Sequence, residues 1–325
     1  MNKTSFLKNT QWNLIALLLF TLSFAGKCNR GLRAIEEEKA REVAVATKTR
    51  NLIGTIKGIS YTEVRRRFDN GLSFSNVGYQ LIPEWRISFP SIDSINIYSP
   101  KKKHFLNAPV VFDHDSIFSM AWAWLKLKQL SKDSLKFMVL HVDGHLILDE
   151  KEHVFMTFYS NDYIKNVLHS DTSKLWKPSK KDTAYIREKT IMAKYIPDSA
   201  FAGTEPPVLK SRGPLVTVQK EVTAADDVNG GKLYDDYLSP TFDITIHHAY
   251  ADFSYSYTAF VDESGTITFR KSMVPLSEEF LHSWTSAMKG ITDGYLKVYL
   301  KVSPAKTLGI PHRSIIFLNV VGYKK

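Results

Sequence analysis

Alternating apolar and polar residues, one strong helical pattern in each half, and turn signals between them predict an α+β protein. The expected plan is two small antiparallel sheets, each with a packed helix, the second running β-β-α-β(-β). Three stretches carry this expectation. SINIYS (residues 94–99) alternates as a half-buried strand does, SIFSMAWAWLKLKQL (116–130) places apolar residues at helical spacing, and 250–321 reads as strand, turn, strand, helix, strand.

The elements follow in order. Lys3 and Lys8 give residues 1–25 a positive start, Leu14–Leu22 is almost wholly apolar, and Ser23-Phe24-Ala25 offers small residues to a leader peptidase. The apolar stretch from Trp12 to Ala25 is 14 residues, against the ~20 of a spanning helix. Residues 1–25 therefore read as an export signal, cleaved rather than retained. The single cysteine excludes an intramolecular disulfide and CxxC-type metal or redox sites. Cys28 stands where a lipoprotein carries its lipidated residue, but Lys27 occupies a position that a lipobox fills with a small residue. A free thiol on a mature terminus explains the same placement. Losing Lys3 and Lys8 with the leader takes the formal charge from +10 to +8, which suits weak attraction to an acidic envelope surface.

Residues 26–50 form a charged helical stalk, with Glu36, Glu37 and Glu38 set against Lys39 and Arg41. Residues 51–195 form an N-terminal α+β region. In it, YQLIPEWRISF and SINIYS are strands, Lys101–Lys103 tip a loop, and Ser116–Leu130 is the helix, capped by Asp115 or Ser116 with Trp122 and Trp124 in its core face. Asp143-Gly144 joins two apolar runs as a hairpin, with His145 opposite Val142. Residues 196–240, rich in Pro, Gly and Asp, read as a linker or irregular insertion. Residues 241–325 form the second unit: a strand over Tyr250–Val261, a return over Thr266–Arg270, a helix from Ser277 to Lys289, and strands over 295–302 and 313–321.

This last unit resembles the C-terminal domain of TonB-type energy transducers. The resemblance rests on Phe260-Val261-Asp262-Glu263-Ser264-Gly265-Thr266-Ile267, the helix to Gly290, and Pro304-Ala305-Lys306 followed by Gly309-Ile310-Pro311 and Ser314-Ile315-Ile316. It covers about 75 residues; FDITIHHAYADF replaces the family's entry turn and the family's Pro-rich spacer is missing. The resemblance implies a protein-contact module offering a sheet edge to an extended peptide.

Motifs for chemistry are sparse. No GxSxG, HExxH, P-loop or Gly-rich dinucleotide turn occurs. His141, Asp143 and His145 would diverge across the hairpin. Asp113-His114-Asp115 is explained by capping, and His248, Tyr250 and Asp252 would line one face of a strand. The expectation is a non-enzymatic, exported bacterial envelope protein with no cofactor, no metal and no nucleic-acid partner. It would sit in the periplasm or at a membrane surface, tethered through a Cys28 lipid or an uncleaved leader if tethered at all. Its partner would be another envelope protein or an extended peptide, bound on an edge strand carrying Arg313, Ser314, Ile316, Leu318 and Val320. Two alternatives stand beside it: a TonB-like energy transducer anchored in the inner membrane, and a secreted hydrolase built around Asp113, His114 and His141.

Overall fold

A computed structural model describes residues 33, 35–143, 146–147, 153–222 and 235–324. The leader, Cys28, Gly144 and His145 lie outside the described residues. A helix, α1, covers 35–54. Its charged first turns are exposed, and its end carries Ile53, with Ile56 just beyond, into the core of the N-terminal unit.

That unit is a closed barrel. Its strands are β1 (Ser60–Phe68), β2 (Arg86–Ser91), β3 (Ser94–Ser99), β4 (His104–Phe112), β5 (Ile117–Met120), β6 (Ala123–Leu130), β7 (Ser134–Leu140) and β10 (Val154–Ser160). Between β7 and β10 lies a two-residue ladder, β8 (Val142–Asp143) with β9 (Leu146–Ile147). All eight barrel strands pair antiparallel, and β1 closes the ring by pairing with both β10 and β2. Inward-facing residues fill the interior: Phe137 stacks edge-on against Phe118 at 5.7 Å and Phe158 at 5.5 Å. Closure leaves this sheet no edge.

The barrel overturns the expected two small sheets with packed helices. Ser116–Leu130 is not a helix but the β5–β6 hairpin, with Met120 opposite Ala123. Ala121 and Trp122 both take positive φ, 48° and 64°, as the two central residues of a type I′ turn do. Leu125 and Leu127 alternate with Lys126 and Lys128, so period 2 wins over the helical spacing. Trp122, expected in a core, is 72% exposed at the hairpin tip. Asp115 is a turn residue (φ 58°) rather than a cap, 3.4 Å from the Lys126 ammonium. In the small ladder Val142 pairs with Ile147 rather than with His145.

A helical segment leaves the barrel: a π-turn (Tyr163–Val167), α2 (Thr172–Leu175) and α3 (Lys180–Tyr195). A capping box of Ser179 and Asp182 starts α3. The buried Asp182 carboxylate also accepts the Ser73 N–H at 2.8 Å, tying α3 to the long β1–β2 connection. Gly78 in that connection has φ +93°, and a Cβ there would stand 2.2 Å from the Ala202 carbonyl oxygen. Only glycine lets these two backbones meet.

The C-terminal unit is a mixed five-stranded sheet in the order β12-β13-β19-β14-β15. Its strands are β12 (Val216–Lys220), β13 (Thr241–His247), β14 (Phe253–Val261), β15 (Ile267–Ser272) and β19 (Ser314–Tyr323). Residues 196–240 are not merely a linker, because β12 pairs with β13 and β11 (Val208–Ser211) pairs with β16 (Leu300–Ser303). The short helix α4 (Asp235–Leu238) precedes β13. After β15 come α5 (Glu278–Ile291), a π-turn over Thr292–Leu296, and α6 (Lys297–Tyr299), followed by β16. A small hairpin, β17 (Ala305–Thr307) with β18 (Ile310–His312), leads into β19. One face of the sheet buries Tyr257, Ala259, Ile316, Leu318 and Val320 in a core shared with Met288 and Ile291 of α5.

Candidate functional site

β19 does not present the edge expected of it. It pairs parallel with β13 along one side and antiparallel with β14 along the other, so it is the middle strand of five. Ser314, Ile316, Leu318 and Val320 are buried. Arg313 donates to the carbonyls of Ala193 at 2.9 Å and Lys194 at 3.2 Å, capping the C-terminus of α3. The parallel β13–β19 pair explains the error: it joins strands nearly 70 residues apart in sequence, and no hairpin signal announces it.

The edges of this sheet are β12 and β15. β15 bears on function because of what lies beside it. A groove of about 550 Å³ runs along β15 and is walled by Leu276, Leu281, Thr285 and Lys289. Phe280, Leu281 and Trp284 point from the first half of α5 into solvent, as do Met273 and Val274 from the preceding connection. Only the far end of α5 is buried, through Met288 and Ile291. Trp284 is held edge-on against Tyr255 at 5.5 Å. Arg270, Lys271 and Lys289 line the same groove, so its field is positive.

β15 also carries a bulge. Lys271 pairs with Thr258 and Phe269 with Ala259, leaving Arg270 as the extra residue. Arg270 reaches a second cavity on the other face of the sheet, the face that also carries Thr258. That cavity, about 530 Å³, lies between the sheet and α3. Signals for the β15 edge were present in the sequence, since TITFR and FLHSWTSAMK read as strand and amphipathic helix. What the sequence did not reveal was which strand stands outermost.

The structure does not bring together the residues of the hydrolase alternative. Asp113 and His114 touch, Nδ1 to Oδ2 at 3.1 Å, as neighbours in the exposed β4–β5 turn. His141 follows β7, which stands three strands from β4 in the barrel order, on the order of 10 Å or more away at about 4.8 Å per strand. Nor do His248, Tyr250 and Asp252 share a strand face. His248 has φ 55°, β14 starts only at Phe253, and the Asp252 carboxylate accepts the Lys324 N–H at 2.7 Å. Among the described residues, no group of three or more His, Cys, Asp or Glu side chains could hold a metal ion, and no helix is long and apolar enough to cross a membrane.

The buried ionisable groups are structural. Glu63, fully buried at a bulge in β1, receives both Nε and Nη2 of Arg66, at 2.8 and 2.7 Å, and the backbone N–H groups of Glu84 and Trp85. Burial pushes the Glu84 carboxyl above its ordinary pKa; Arg66 opposes the shift and Glu63 adds to it. His312 lies flat on Phe201, ring centres 3.7 Å apart. Its Nδ1 donates to its neighbour's carbonyl at Arg313 and its Nε2 accepts from Thr307 Oγ1 at 3.0 Å. Burial drives its pKa down to about 4, with the Lys189 charge adding to the effect, so this ring is neutral.

These features define an all-antiparallel eight-stranded barrel joined to a mixed α+β sheet with β12 and β15 at its edges. No family model matches the chain, and no curated protein does. Among solved structures it is similar to the bovine lipocalin allergen Bos d 2, at 12% identity, covering 44% of this chain and 87% of that one with a TM-score of 0.23. A superposition that poor carries nothing about fold or ligand.

Proposed function

We propose that this chain is an exported, non-enzymatic envelope protein whose C-terminal unit binds an extended segment of another envelope protein along β15. The observation that carries the reading is the open side of β15 beside the uncovered apolar half of α5. An added strand would satisfy the edge's free backbone groups while its alternate side chains rest on Leu281 and Trp284. Arg270, Lys271 and Lys289 favour an acidic segment. Export rests on the leader in residues 1–25, and the resemblance of the C-terminal segment to a protein-contact domain supports the partner class.

The test is a photo-cross-linking residue at Thr268, an exposed position of β15, in the producing bacterium. A discrete protein adduct is expected at Thr268 and not at Lys128 on the outer wall of the barrel, and Leu281→Asp should reduce it at least 10-fold. A folded, exported protein giving no discrete adduct at Thr268 would overturn the reading.

A further inference from the structure

The cavity behind β15 is a different site from the edge groove, and its chemistry is more specific. One wall is α3, with Lys189 and Met192; the floor is the open face of the sheet at Thr258 and Phe317; Val77 of the β1–β2 connection and Leu238 close the sides. At about 530 Å³ it falls within the range of small-molecule sites.

Two cations in it lack adequate counter-charges. Lys189 makes no ion pair among the described residues; its ammonium rests 5.2 Å from the Phe201 ring centre and 5.9 Å from that of Tyr185. Burial lowers its pKa, the response of a charge held without a neutralising partner. Arg270 has a buried Nε with no hydrogen-bond partner. Its Nη2 lies 3.7 Å from Asp198, too far for a strong charge-assisted bond, and the Asp198 side chain is 88% exposed. Arg270 follows Phe269, which faces the α5 side, so alternation along β15 puts it on the cavity side with Thr258. A guanidinium with an open donor and a half-buried ammonium in one cleft are what an anionic head group requires; polar Asn76, Ser199, Ser239 and the Asp198 carboxylate share the lining with apolar Met192, Leu238, Ile315 and Phe317.

We propose that this cleft binds a small amphipathic carboxylate, with its head on Lys189 and Arg270 and its chain against Met192, Leu238 and Phe317. At about 30 Å³ per water-sized group, the volume holds about 18 such groups, enough for a carboxylate head with a chain of about eight to twelve carbons. The site shares Arg270 and Lys271 with the edge groove but not Lys189 or α3, so it does not depend on peptide binding at β15.

Calorimetric titration of the full chain with decanoate below its micelle concentration tests the proposal, with decanol and decylammonium as neutral and cationic controls. Saturable one-to-one binding of decanoate is expected, at least 10-fold tighter than either control. Lys189→Gln and Arg270→Gln should each weaken it at least 10-fold at unchanged thermal stability, Arg270→Lys less than Arg270→Gln, and Leu281→Asp not at all. Equal binding of decanol, no decanoate binding by the folded chain, or unchanged affinity in both charge-removing variants would overturn it. Because Leu281→Asp disables only the edge, failure of the two sites can be told apart.

Discussion

The neutral His312 makes stability depend on pH in a way that its surroundings fix. The unfolded chain takes a proton on this ring near pH 6.5, while the folded chain refuses it until about pH 4. Between those values the unfolded state binds more protons, so unfolding free energy must rise with pH across that window and level off on either side. The gap corresponds to about 3 kcal/mol. The cause is geometric. Both ring nitrogens are committed, Nδ1 as donor to a carbonyl and Nε2 as acceptor from Thr307, so a second proton would cost the Thr307 bond and place a charge flat on Phe201 near Lys189. Carboxylates titrate over the same range, so the measurement is a difference. Urea unfolding of the parent chain and of His312→Gln is followed from pH 4 to pH 7.5. The variant should be less stable at pH 7.5, through loss of the ring stack, and its disadvantage should shrink by about 2–4 kcal/mol by pH 4. Parallel stability curves would refute the assignment of a buried neutral ring.

The remaining predictions concern packing and charge. Phe137→Ala removes the ring joining Phe118 to Phe158 inside the barrel and should cost about 3–5 kcal/mol in chemical denaturation. Gly78→Ala places a methyl group against the Ala202 carbonyl at a positive φ and should cost about 2–4 kcal/mol, with proteolysis rising first in the β1–β2 connection. Glu84→Gln should stabilise the chain at pH 7 and lose its advantage as pH falls. A carboxyl whose folded pKa is raised weakens the fold only while ionised, and burial is the main cause of that rise; pH-dependent thermal unfolding checks it.

How far the sequence revealed this architecture can be judged from single elements. The alternation in SINIYS places β3, and the acidic turn Ser277–Glu279 marks the start of α5. Residues 116–130 imitate a helix because Ile117, Met120, Ala121, Trp124 and Leu127 satisfy a helical spacing while the turn that breaks it, Ala121-Trp122, carries neither glycine nor asparagine. Barrel closure was invisible for another reason. It depends on β1 meeting β10, Tyr61 opposite Ser160, a contact that no local pattern encodes. The candidate site divides along the same line. The strand and the helix that form it are legible in Thr266–Arg270 and Ser277–Lys289. Its location is not, because the outermost strand is decided by β19 inserting between β13 and β14.

The claim that β15 accepts an added strand is tested most directly by amide hydrogen exchange on the full chain. The probe is the partner segment identified by cross-linking at Thr268, made as a synthetic peptide. The account predicts slower exchange over residues 267–272 and over the first half of α5, with β12, the opposite edge, unchanged. A bound peptide that leaves exchange in β15 as it was, or that protects β12 instead, would contradict it.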